Sequence, residues 1–132
     1  GRGTVIVTKP IKRLRFKGTF HYDEGYYYFR NYQDRVIFGG GRNLDVESER
    51  TTNFSINELI LEKLKKDLKE IILPNQEFEI DHIWSGIMAF GPNKKPILQK
   101  YSPRVSVGVR LGGMGVAIGS KIGLEMADLM RE

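Results

Sequence analysis

Residues Arg110–Ser120 read RLGGMGVAIGS, a glycine-rich elbow leading into an apolar stretch, and the interpretation of this elbow decides the fold class. Gly113, Gly115 and Gly119 resemble a dinucleotide fingerprint, which would make the chain a parallel α/β unit with a phosphate at a helix start. Such a unit needs a second parallel strand after the helix, ending in an acidic residue. Only 13 residues follow Gly119, and all are helical in pattern. No Gly-Lys-Ser/Thr occurs, so a Walker A loop fails too. The elbow is therefore not the primary phosphate site of a nucleotide fold.

Outward from the elbow, Val105, Val107 and Val109 alternate with Ser106, Gly108 and Arg110, which predicts a strand before it. A final helix is predicted from about Gly115 to Met130. Near the start, Thr4–Thr8 (TVIVT) is β-branched and almost wholly apolar, a buried strand ended by Pro10. Tyr26–Arg30 and Arg35–Phe38 read as two strands joined by the turn NYQD, and Gly39, Gly40 and Gly41 permit close backbone approach. A helix is predicted from Ser55 to about Leu73, with Ser55 and Glu58 as a capping box and Phe54 with Leu59 as a staple. Its apolar stripe is Ile60, Leu61, Leu64, Leu68, Ile71 and Ile72. Glu77–Trp84 alternates as a half-buried strand that puts His82 on the apolar face, and Ile97–Lys100 is a short strand. The pattern is α+β, an antiparallel sheet with two main helices.

The 132 residues fit one domain, and 40% hydrophobic with 28% charged residues is ordinary for a folded chain. Cysteine is absent, which excludes disulfides and thiolate metal sites. Without a signal-like start or a spanning apolar run, the chain is expected in the cytoplasm with no membrane span. The net charge of +5 raises nucleic acid or anionic substrates as partners. Five of the 21 basic residues lie in Lys9–Lys17, which a Lys/Arg-protected edge strand explains equally well. Tyr22, Tyr26, Tyr27 and Tyr28 beside these cations permit a second reading, a non-enzymatic nucleic-acid-binding module. His21 and His82 show no ligand spacing, so no metal site is assigned. For the elbow two readings stand on the residues alone: a ligand turn offering N–H donors to partial negative charge, or a tight turn with glycines packed on a neighbour.

Four stretches in order carry a resemblance: GRGTVIVTKPI, GYYYFRNYQDRVIFGGGRNLD, HIWSGIMAFGPNKKPIL and VGVRLGGMGVAIGSKIGLEMADLM. Together they resemble the C-terminal part of the FAD-dependent amine and amino-acid oxidoreductases, the family of D-amino-acid oxidase, glycine oxidase and sarcosine oxidase. The resemblance implies that residues 1–110 are a substrate-binding-like sheet domain with helix 55–73. It also implies that 111–132 are the last flavin-contacting turn and helix. The family's FAD fingerprint lies at its N-terminus and is absent here, so the chain is expected to be a segment of a longer protein that does not retain FAD alone. The cofactor-binding role falls on Gly112, Gly113, Met114, Gly115, Val116 and Ala117. Substrate contacts fall on Tyr28, its neighbour Tyr26 and Arg110. No catalytic acid or base is assigned. Many members carry an arginine in W-x-G-x-R that clamps a substrate carboxylate. Here the stretch is WSGIM, so Met88 takes that place and Arg110 or Arg42 is left to supply the cation. The implied activity is oxidation of an amine or amino acid by hydride transfer to FAD, on a small-molecule substrate and without nucleic acid. A final helix apolar on most sides implies self-association of the chain.

Overall fold

The computed structural model describes residues 1–131, and its architecture is α+β with antiparallel sheets and two main helices, as predicted. The strands are β1 (Arg2–Thr8), β2 (Thr19–Tyr22), β3 (Tyr27–Tyr32), β4 (Arg35–Gly40), β5 (Ile80–Ile87), β6 (Ile97–Ser102) and β7 (Val105–Val109). The helices are α1 (Glu58–Asp67) and α2 (Gly115–Arg131). The chain forms two compact units, one of Arg2–Ile87 and one of Gly1 with the residues from Met88 onward.

In the first unit a five-stranded antiparallel sheet runs in the order β2-β3-β4-β1-β5. The apolar β1 is interior, as a β-branched run demands, and nearly every residue in it is buried. Helix α1 covers one sheet face. Ile60, Leu61, Leu64 and Leu68 meet Ile6, Tyr27, Val36 and Phe38 in the core. The β3–β4 turn is tighter than NYQD, because pairing continues to Tyr32 and Arg35 and leaves only Gln33 and Asp34 outside the ladder. Gln33 accepts a left-handed φ of 52° to close it.

The helix begins and ends differently from its sequence signals. Asn57 is the N-cap, its side chain accepting from the N–H of Leu59 (3.1 Å) and Ile60 (3.5 Å). Ser55 is instead drawn to the buried Arg2 guanidinium, whose donors need acceptors. Phe54 and Leu59 are 75% and 59% exposed, so no staple forms. After Asp67 the helix widens into a π turn, Leu68–Ile72. The extra residue shifts the phase, so Ile71 turns outward while Ile72 and Leu73 enter the core.

A buried ion pair fastens the 42–57 connection to β1. Arg2 donates Nε (3.0 Å) and Nη2 (2.6 Å) to the Glu49 carboxylate, and Asn57 adds a third donor to it at 3.1 Å. The predicted strand Glu77–Trp84 is displaced to Ile80–Ile87. A bulge where Val7 pairs His82 and Thr8 pairs Ile80 changes the alternation. Ile80 therefore packs on the core, whereas the His82 side chain lies 69% exposed and is not a core histidine.

In the second unit β6 and β7 form a two-stranded antiparallel sheet against which α2 packs. A β-carbon at Gly108 would collide with Met126 and Ile122, so the missing side chain lets α2 approach β7. Among the described residues no helix is long and apolar enough to cross a membrane.

Candidate functional site

The elbow folds because Gly112 and Gly113 take left-handed φ values of 58° and 82°, conformations that glycine adopts without steric cost. Its own turn consumes part of its N–H supply. Gly112 donates to the Ala89 carbonyl (3.2 Å), Met114 to Leu111 (2.9 Å) and Ala117 to Met114 (3.0 Å). Among the described residues the N–H groups of Gly113, Gly115 and Val116 have no acceptor. The first turn of α2 carries no acidic side chain to compete for them. Of the turn glycines, Gly115 is packed on its neighbour Leu111, whose Cδ1 would lie 3.2 Å from an added β-carbon, but Gly112 and Gly113 are not. A β-carbon at Gly112 would meet nothing within 4 Å, and one at Gly113 only Met88 Sδ at 3.8 Å. The result is a helix N-terminus with three open donors and the positive end of the helix dipole.

Arg110 precedes the elbow at a φ of 63°. Its Nη2 donates to the Lys95 carbonyl (2.9 Å) and Asn93 Oδ1 (3.3 Å), and its Nε to the Lys95 carbonyl (3.2 Å). The side chain lies over Gly91, where a β-carbon would be 2.7 Å from Nη1. Arg110 thus holds the 91–95 loop in this structure. Met88 is fixed through its backbone, which exchanges two 2.7 Å hydrogen bonds with Gly1.

In the five-stranded unit the outer sheet face carries a row of directly paired residues: His21, Tyr28, Gly39, Val5 and Trp84. Tyr28 and Trp84 are 37% and 44% exposed on either side of the small Gly39 and Val5. Burial pushes the Tyr28 phenol above its ordinary pKa. Tyr26 does not reach this face by strand alternation. It has helical dihedrals before β3 begins, and its carbonyl accepts from Gly41 N–H at 3.1 Å. Tyr27 is buried, with Tyr22 stacked on it at 4.8 Å, so the tyrosines do not make one open platform. Tyr22 donates to Asp67 at 2.7 Å, and burial followed by that bond raises its pKa. Lys9–Lys17 is mostly a loop rather than an edge strand, with Ile11, Leu14 and Phe16 turned to the core.

The family model for FAD dependent oxidoreductases matches residues 1–129. The chain belongs to that family. L-proline dehydrogenase from P. horikoshii has a similar fold, with a TM-score of 0.75 at 18% sequence identity. The match covers 98% of this chain and 34% of that one, so the chain spans about a third of its length. No curated protein sequence matches.

For a member of an FAD-dependent family, the donor set at the elbow is chemically apt. The N–H groups of Gly113, Gly115 and Val116 suit a group that gains negative charge, as a flavin does at N1 and C2=O on reduction. Of the six residues assigned from sequence, Met114 and Ala117 spend their N–H groups within the turn and Gly112 spends its own on the Ala89 carbonyl. Sequence reasoning missed the row neighbours of Tyr28. Their signal was the hairpin register, which a two-residue turn places Gly39, not Ile37, opposite Tyr28.

Proposed function

We propose that this chain supplies the substrate side and the last flavin contact of an enzyme that oxidises the C–N bond of an amine or amino acid. In this reading residues 1–110 serve the substrate and 111–132 the flavin. Bound FAD supplies the two-electron acceptor for the hydride. The chain's own part is to orient and to stabilise charge. The N–H groups of Gly113, Gly115 and Val116 would steady negative charge on the pyrimidine side of the ring, and Tyr28 would contact the substrate, whereas Tyr26, outside β3, is not kept in that role. Met88 offers no cation to a carboxylate, which favours an amine. An anionic substrate would need Arg110 to leave the Lys95 carbonyl. We assign no acid or base. We further propose that the chain, lacking a fingerprint for the adenine and pyrophosphate, does not retain FAD alone and self-associates through α2.

The observation that carries this reading is the open, donor-bearing elbow. Gly115→Val in the flavin-loaded enzyme containing this chain tests it. A β-branched side chain there hinders close approach of a ring to the backbone. Flavin reduction followed by stopped-flow absorbance should slow at least about tenfold, a loss of about 1.4 kcal/mol of stabilisation. Unchanged flavin content and reduction rate would return the elbow to a purely structural turn.

A further inference from the structure

Gly39, Gly40 and Gly41 follow one another, but the structure requires them for different reasons. Gly40 and Gly41 have φ of 129° and 76°, conformations that favour glycine. A β-carbon at Gly40 would also run into the Tyr26 backbone carbonyl. Gly39 has no positive φ and sits in the regular part of β4, opposite Tyr28 on one side and Val5 on the other. Backbone conformation therefore does not explain it. Its space does. A β-carbon at Gly39 would lie 2.7 Å from Tyr28 Oη, 2.8 Å from Cζ and 2.9 Å from Cε2. The far half of the Tyr28 ring rests directly on the Gly39 backbone, where any side chain would lift it.

We propose that Gly39 is a positioning residue, a seat that sets where the Tyr28 hydroxyl stands on the outer sheet face. The inference rests on the reading that Tyr28 contacts substrate. Cross-strand pairing fixes the Tyr28 backbone against β4, so only side-chain torsion can move the phenol. With glycine opposite, the ring lies over the Gly39 position. With alanine opposite, it must rotate away. The atoms displaced are the free end of a side chain and not backbone, so the sheet survives the change while the hydroxyl moves. The raised Tyr28 pKa agrees with a ring held down against the sheet. The seat makes the hydroxyl's position depend on a residue that never touches substrate.

The test is Gly39→Ala, alone and combined with Tyr28→Ala, with Tyr28→Phe as reference. In the isotopically labelled full chain, nuclear Overhauser contacts between the Tyr28 ring and the residue 39 α-protons should be strong in the parent. They should be lost in Gly39→Ala, with the denaturation midpoint kept. In the flavin-loaded enzyme containing the chain, Gly39→Ala should raise KM about 3- to 10-fold, as loss of one hydrogen bond does, and leave kcat nearly unchanged. In the Tyr28→Ala background the same substitution should add nothing. Retained ring contacts in Gly39→Ala, or an equal KM effect without the Tyr28 ring, would overturn the seat. Lost contacts with KM unmoved in both Gly39→Ala and Tyr28→Phe would overturn the substrate role of Tyr28 instead.

Discussion

The two units of this chain spend their apolar residues in opposite ways. In Arg2–Ile87 the large side chains of β1, β4 and α1 are mostly buried in a core of their own. In the C-terminal unit α2 has no buried residue, and Val116, Leu124 and Met130 are exposed at 105%, 64% and 63%. The first unit therefore reads as self-sufficient. The second carries apolar surface that its own sheet does not cover. Substitutions in the buried core of the first unit and on the exposed helix of the second should therefore behave differently.

The largest effect is expected in the self-sufficient unit. Glu49 is fully buried and accepts two bonds from Arg2 and one from Asn57. Glu49→Ala leaves a buried guanidinium without its carboxylate, a loss of about 3–5 kcal/mol. It also removes the acceptor that ties the 42–57 connection to β1. Urea unfolding followed by Trp84 fluorescence should show the midpoint falling accordingly. A shift equivalent to under about 1 kcal/mol, the scale of a surface pair, would mean that the ion pair contributes little and the contrast between the units is overstated.

The exposed helix supplies the intermediate effect. If α2 drives self-association, Leu124→Lys should weaken it. Removing one leucine from an interface costs about 1.5–3 kcal/mol, which is at least about tenfold in the association constant. Sedimentation over a micromolar concentration series measures it. The unfolding midpoint of the sheet unit should stay where it was. A parent chain that is strictly monomeric across that series would break the proposal, whatever the variant does.

The legible parts of this molecule were those governed by local pattern. The β-branched run of β1, the valine alternation of β7 and the apolar stripe Ile60, Leu61 and Leu64 of α1 each state their element directly. Errors arose where a tertiary demand overrode a local signal. Ser55 suits an N-cap, but Arg2, 53 residues away in sequence, takes its oxygen. His82 alternates with apolar residues, but a bulge against β1 reverses the face it occupies. The site divides the same way. The elbow was visible as a glycine cluster after a strand, whereas which of its N–H groups stay open depends on the Ala89 carbonyl and on the first turn of α2. The role of Gly39 needed the register of a hairpin whose turn is two residues shorter than its polar stretch.

The smallest effect concerns acid, and it returns to the five-stranded unit. Asp81 at the start of β5 accepts from the Arg35 guanidinium on β4, and His82 Nε2 lies 3.4 Å from the same carboxylate oxygen. The bond from Arg35 holds the Asp81 carboxyl below the usual carboxylate range, with His82 and Lys9 adding attraction. Its folded pKa is thus lower than its unfolded pKa of about 3.9. A depressed carboxylate contributes its stability above the unfolded value and loses it as pH falls through the folded one. The contribution should therefore be full at pH 6 and shrink on acidification below about pH 4. Because the pair is partly open to solvent, the loss should be modest. The measurement is the unfolding midpoint of the parent and of Asp81→Asn at pH 6 and at pH 3. The two proteins should differ at pH 6 and the gap should narrow at pH 3, since acid begins to remove from the parent the charge that asparagine lacks throughout. A gap of equal size at both pH values would show that Asp81 acts through hydrogen-bond geometry rather than charge.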